Sequence, residues 1–545
     1  MRRLHAALAL IALGCGPGGA PPDAAADSGA RGDGGADAGP LGPFRSALYP
    51  EDWEPGTVDG EGRGLADFSY AGYRHGEAEP GGEVSALRFD VTAYGADPSG
   101  ALDATSAIAA AIAEASAGGG VVLFPEGLYR VDGVLRVEAS GVVLRGEGPS
   151  RSRLWLTASE GMSQRAHVTF HGELTSDLEL PLVEDGARFA RHVFVTDAAD
   201  LAVGDDVDLG WVVSEAFVAD HGMTGVWQAF NDTWQPFARR TVVAIDASAT
   251  PVRVELDVPL RSDALVRDGA SLRRTRGHLR EVGVEGLGVA NAVAPDAAWA
   301  ESQVHALEMT GVADGWIRDV ASFPSPGAPA AGEGAGAHLA SCGLLVRACK
   351  RVTVDGVHLA EVQNRGSGGN GYLFEVRASN EVLFRDCTGR AGRHNFIQNW
   401  GFGTSGCVWL RVRSEGGRAQ ASRTAVELFG PSELHHSLAT ANLIDSSVLD
   451  DGWVTANRLG SSSGAGHTGT ENVFWGSTGR GQLRSFQFGW GYVIATGREL
   501  RVTIDGVPWE QLGTEPLDWL EGEGRAEDRV PASLYEDQLA RRLAR

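Results

Sequence analysis

Four histidines fall in the C-terminal half of the chain within a short span: His394, His435, His436 and His467. Histidine alone among side chains offers a base near neutral pH without special surroundings. Arg393, Asn395 and Trp400 flank the first of them, Glu433 precedes the pair, and glycine-flanked Gly466-His467 carries the last. A neighbouring carboxylate orients an imidazole and raises its pKa, while an arginine holds an anionic group. The candidate catalytic set is therefore Arg393, His394, Glu433, His435, His436 and His467. Arg365, Asn370, Tyr372, Asn395, Trp400 and Trp490 are the candidate substrate contacts, with Trp453 a further aromatic platform. Adjacent residues on a strand face opposite sides, so at most one of His435 and His436 points into a site.

Positioning these groups requires elements that repeat. β-Rich segments recur at Val282–Gly286, Trp316–Val320, Val352–Val357, Val382–Cys387, Val408–Val412 and Asn472–Gly476. Their spacing is roughly 26–37 residues with a wider last gap, as rungs of a solenoid with unequal loops would give. Stacked rungs, about 4.8 Å apart, turn a sequence repeat into a ladder of side chains on one face. Asn370 also suits one rung of an internal asparagine ladder. Ahead of the repeats, Leu87–Gly148 reads as a strand, a helix over Ala104–Ala117 capped by Asp103 or Thr105, a glycine turn and short strands. A solenoid exposes its core at each end, and this helix suits the N-terminal cap. Residues 162–275, with Trp211, Trp227 and Trp234, break the pattern and predict an inserted β-subdomain. Residues 511–545, with a helix over Val530–Ala540, are expected to cap the far end.

Phe89-Asp90-Val91-Thr92-Ala93-Tyr94-Gly95-Ala96-Asp97 and Gly118-Gly119-Gly120-Val121-Val122-Leu123-Phe124-Pro125 resemble the N-terminal part of the pectate-lyase-like superfamily. The leader Asp67-Phe68-Ser69-Tyr70-Ala71-Gly72-Tyr73 resembles one bacterial branch of it, which also shows counterparts of Glu433–His436 and Gly466-His467. The resemblance covers most of residues 45–540. It implies an all-β chain, a single right-handed parallel β-helix over residues 44–510, with the capping helix and the insert. It leaves the reaction open, because the superfamily holds lyases, hydrolases and binding proteins.

Nine arginines (365, 377, 385, 390, 393, 411, 413, 418, 423) stand against four acids between Val362 and Val426, a local excess that suits an anionic sugar. In β-elimination a base removes the proton α to a uronate carboxyl, and arginine, histidine or Ca²⁺ neutralises that carboxylate. In hydrolysis two carboxylates flank the glycosidic bond. Asp450-Asp451 with His467 resembles the polygalacturonase arrangement only loosely, and that family's asparagine-threonine-aspartate and arginine-x-lysine motifs are absent. Asp450-Asp451 reads as a polar turn before Gly452. Clustered aspartates for calcium and zinc-type spacings are missing, so no metal and no cofactor is expected. The reading is a metal-independent polysaccharide lyase acting as a monomer. A glycoside hydrolase and a non-catalytic carbohydrate-binding or adhesive solenoid are the alternatives.

The chain has 545 residues and a net charge of −24, which argues against a nucleic-acid partner. Arg2 and Arg3 precede a short apolar run ending Ala12-Leu13-Gly14-Cys15, a signal-peptide layout over residues 1–15 whose end resembles a bacterial lipobox. Residues 16–43 are almost all Gly, Ala, Asp and Pro, a tether that cannot bury a core. The expectation is a secreted lipoprotein at the outer membrane or cell surface, lipidated on Cys15, with the membrane touched only through that anchor. Cys342, Cys349, Cys387 and Cys407 are expected to be small buried residues rather than bridges.

Overall fold

A computed structural model describes residues 42–81, 86–425, 427–505 and 515–545. Cys15 and nearly all of the tether lie outside the described residues. From Pro43 onward the chain forms one unit, a right-handed parallel β-helix; its sheet A includes the rungs from Lys350–Asp355 to Trp519–Glu521, and its sheet C runs from Leu135–Val137 to Arg501–Thr503. Sheet A shows why the sequence repeats. Val354, Phe384, Trp409, Ile444, Phe474, Val493 and Leu520 stand in register on successive rungs and point into the core. The alternate column, Leu383, Val408, Leu443, Val473 and Tyr492, points outward. The wide gap between the last two sequence repeats holds the rung Leu443–Asp445.

The outward column is covered rather than wet. The leader, through Leu48, Tyr49, Trp53, Leu65 and Phe68, packs on it together with Leu534 and Tyr535 of the terminal helix Leu534–Leu543. Asp445 caps that helix from the solenoid, accepting from Ser533 Oγ at 2.7 Å and Tyr535 N–H at 2.9 Å. The terminal helix therefore lies along the side of sheet A, which corrects the expectation that it covers the far end. Its apolar residues find unsatisfied surface on the flank. Gly72 lets the leader turn onto sheet A: its φ is 98° and a Cβ there would meet Thr353 and Leu383.

The N-terminal helix spans Thr105–Ala115 and buries Ile108, Ala111, Ile112 and Ala115 against the first coils. Asp103 accepts from Thr105 N–H at 2.9 Å, satisfying one donor of its first turn. Six antiparallel strands between Thr175 and Arg276 make a separate sheet with its own core around Trp211, Trp227 and Phe237. The strand Ala166–His171, placed in the insert by sequence, is a rung of sheet C instead, paired with His305–Thr310. Inside the turns from sheet C to sheet A runs an amide ladder. Asn442 Nδ2 donates to Asn472 Oδ1 and Asn472 Nδ2 to Gln487 Oε1, both at 2.8 Å. The four cysteines are buried and free.

Candidate functional site

The strands of sheet C carry Tyr372, His394, Asn395 and Glu433, and Arg393, His435 and His436 flank them. Ser432–Leu434 pairs with His394–Gln398, which pairs with Tyr372–Arg377. Leu434 fills the core, so Glu433 and His435, one residue to either side, share the outer face. Glu433 Oε2 accepts from His435 Nδ1 at 2.9 Å and lies 3.6 Å from His394 Nε2. Its other oxygen is paired with Arg458, which the sequence reading had not selected. His394 Nδ1 donates to Pro431 O at 2.5 Å, and its ring lies 6.1 Å from that of His435. Tyr372 stands 5.5 Å beyond His394 on the next rung. Arg393 donates to Gly366 O at 3.0 Å and its charge is felt by both rings.

The electrostatics follow from burial. Desolvation would raise the Glu433 carboxyl, but Arg458 and His435 outweigh it and hold the group below the usual carboxylate range. Burial, reinforced by the Arg458 charge, lowers His435 despite its carboxylate partner. Burial takes His394 down to about 3. The expectation that Glu433 would raise its neighbour's pKa is thus reversed: desolvation of the imidazolium exceeds the attraction. The resulting unit is a neutral imidazole oriented by an ionised carboxylate. With Nδ1–H on Glu433, the lone pair of His435 is on Nε2.

His436 turns the other way, as alternation requires. Its Nδ1 meets Ser437 Oγ at 2.9 Å, and its ring stacks on Trp400 at 4.5 Å. Trp400 is 46% exposed, the one large exposed ring of the cluster. From the insert, Phe230 packs on both Trp400 and His436 at 5.7 Å, so the insert walls this side of the site.

Other selected residues are elsewhere. His467 packs against Phe488, ring centres 4.9 Å apart, beneath the insert and apart from Glu433. Asn395 points inward, donating to Asp451 at 2.7 Å and to Glu415 O at 3.0 Å, and so serves a turn. Asp450 pairs with Arg413 at 2.8 Å, which fits the polar-turn reading. Trp453 is a core residue, and Trp490 packs on the sheet A side under Arg63, 5.2 Å from its ring. Tyr372 is buried, so it offers no sugar platform. Asn370 accepts from Gln303 N–H at 2.9 Å at the far edge of the patch, outside the amide ladder. Arg365 lies 3.6 Å from Glu361 and lines a cavity of about 370 Å³ with Trp299. The arginine excess does not form one patch: Arg385, Arg411, Arg413 and Arg423 pair with acids on other faces.

Sequence reading missed a second unit of the same kind. Glu375 is in register with Ile397 and, one rung further, Glu433. It accepts from His305 Nε2 at 2.9 Å, Arg377 Nε at 2.5 Å and Asn399 Nδ2 at 2.8 Å. Desolvation would raise it, yet Arg377 and His305 lower its pKa to about 2. Glu375 and Arg377, i and i+2 on one strand, were the available signal. His305 comes from a rung 70 residues earlier, and no local pattern announces it.

Residues 88–199 match the family model described as rhamnogalacturonase A/epimerase, pectate lyase-like. No curated protein matches the chain. Among solved structures, the tailspike gp61 of Pseudomonas phage phi297 is similar at 15% identity and TM-score 0.41, over 76% of this chain and 68% of that one. The tailspike gp49 of Pseudomonas phage LKA1 is similar at 13% identity and TM-score 0.38, over 76% of each. An exopolygalacturonase of Thermotoga maritima is similar at 11% identity and TM-score 0.31, over 78% of this chain and 77% of that one.

Proposed function

We propose that this member of the pectate-lyase-like superfamily of parallel β-helix proteins cleaves an anionic polysaccharide by β-elimination, with His435 as the base. The observation that carries the reading is the Glu433–His435 contact at 2.9 Å, which fixes the tautomer and presents Nε2 as acceptor. His435 Nε2 takes the proton α to the uronate carboxyl. The C–H electron pair becomes the carbon–carbon double bond as the glycosidic C–O bond breaks; the departing oxygen takes a proton from water, and the hydroxide left recovers the proton held by His435. Arg393 faces the carboxylate whose charge builds during proton removal, and Trp400 offers a ring face to a neighbouring sugar.

Hydrolysis is the second reading, favoured by one observation. Glu375 and Glu433 stand two rungs apart on one column, roughly 10 Å between backbones at about 4.8 Å per rung, near the spacing of an inverting carboxylate pair. Both carboxylates are held ionised, however, and neither supplies the protonated acid that hydrolysis needs. A carbohydrate-binding solenoid without turnover would keep Trp400 and Arg393 and have no use for an oriented neutral imidazole. Export with a lipid on Cys15 belongs to the same proposal and would place the site outside the cell. Ultraviolet absorbance of unsaturated uronate, measured beside reducing ends on a panel of polysaccharides, separates the three.

A further inference from the structure

Away from the Glu433 cluster, where the insert meets the turns from sheet C to sheet A, lies a cleft of about 280 Å³. Its apolar wall is Trp211 and Phe237, stacked at 3.8 Å, with Phe217 and Phe488 beside them. Leu438, Thr440 and Glu471 bring the solenoid to its other side, and none of the proposed catalytic residues lines it.

One lining residue has unmet chemistry. Arg261 is 4% exposed and donates only through Nη2, to the two oxygens of Glu381 at 3.0 and 3.2 Å. Its Nε and Nη1 are buried without a hydrogen-bond partner. Glu381 is shared, since Arg240 also approaches it at 3.7 Å, so two buried guanidiniums divide one carboxylate. Buried charged donors left unpaired are costly, and a small acid offers the missing acceptors. The cleft's own carboxylates are already engaged: Glu471 pairs with Arg188, Asp220 and Asp268 with Arg267, and Asp263 accepts from Arg188 N–H at 2.7 Å. His221 donates from Nδ1 to Phe217 O at 2.7 Å, which leaves its Nε2 as an acceptor for a hydroxyl.

We infer that this cleft is a second binding site, separate from the site of cleavage, for a single carboxylated pyranose. The sugar's carboxylate would meet Arg261, its C–H face the aromatic wall and a hydroxyl His221. The volume lies near the low end for small-ligand sites, which suits one ring and not a chain. Such a ring could come from a free sugar acid or from the end of an oligosaccharide. Choosing a sugar acid over other small acids rests on the carbohydrate reading above.

The test is calorimetric and tryptophan-fluorescence titration of the full chain with glucuronate and galacturonate, and with glucose and galactose as uncharged counterparts. The uronates should bind, with the neutral sugars at least about tenfold weaker, as a charge-assisted pair requires. A uronate disaccharide as tight as the monosaccharide would assign the site to chain ends. A much weaker one would assign it to free sugar acids. Arg261→Met should erase the preference for the acid, and His435→Ala should leave it intact. Equal binding of charged and neutral sugars, no binding of either, or a preference that survives Arg261→Met overturns the inference. If Arg261→Met does not fold, the wild-type series and Phe488→Ala, expected to weaken all four sugars, still decide. Uronate binding without polymer cleavage would leave the cleft standing and defeat the lyase reading; cleavage without monosaccharide binding would do the reverse.

Discussion

Glu433 and Glu375 occupy one outward column of sheet C, two rungs apart with Ile397 between them, and each accepts from a histidine at 2.9 Å. The two units differ in access. Glu375 and His305 are sealed under Arg377, Asn399 and Gln303, whereas next to the Glu433 unit in the chain His436 stacks on exposed Trp400. The proposed elimination uses the second for that reason.

Trp400→Ala should raise KM with kcat nearly unchanged, because a sugar platform contributes equally to ground and transition states. Thermal stability should move little, since nearly half of the ring is already in solvent. Steady-state kinetics on a soluble uronan measures this, and an equal fall in kcat and kcat/KM would assign the ring to the chemical step.

Glu433→Gln should lower both turnover and stability. It removes the charge that orients His435 and leaves Arg458 without its counter-ion in a largely buried setting, a loss of about 3–5 kcal/mol. Urea unfolding reads it, and a change below about 1 kcal/mol would show that the pair is solvent-screened.

Asn472→Leu should destabilise without touching the site. Asn472 Oδ1 accepts from Asn442 N–H and Nδ2, and its Nδ2 donates to Ala439 O, so its loss leaves these buried groups short of a partner at about 1–3 kcal/mol each. A denaturation midpoint equal to wild type would mean that the ladder is dispensable.

Stability should rise with pH between about 4.5 and 6.5. Among the described residues, burial lowers the pKa of nine histidines, to about 3 for His394 and His436 and about 4 for His338 and His467. A histidine depressed by folding binds its proton better when unfolded. Its contribution is complete above the unfolded value near 6.5 and is lost as pH falls through the window below. Four acids oppose this: burial raises Asp445 to about 6 and Asp451, Glu471 and Asp518 to about 7. They favour the fold when protonated and lose that contribution as pH rises from their unfolded values near 4 to those folded values. Nine outweigh four below 6.5, and a small decline should follow above it as the acids finish titrating. Urea midpoints across this range check the sign; a midpoint higher at the acid end would contradict it.

The solenoid was legible because inward apolar residues must repeat at every coil, as Phe384, Trp409 and Phe474 do in sheet A. Glu433 and His435 were legible as a local pair, since period two puts both on one face with Leu434 inside. Arg458 and His305 were not, because coil stacking brings them to their partners across 25 and 70 residues. Trp453 and Asn395 were misassigned for one reason: polarity and aromaticity do not reveal which face of a short strand points inward. The terminal helix was misplaced because amphipathicity reports an apolar stripe and not the surface that receives it.

The most direct measurement compares wild type and His435→Ala on a panel of uronate polysaccharides, recording unsaturated product and reducing ends together. Elimination by His435 predicts unsaturated uronate from at least one polymer. It also predicts a loss of about 10²–10⁴-fold in turnover on substitution, with polymer binding retained. Reducing ends without unsaturated product, or turnover unchanged in His435→Ala, would contradict it.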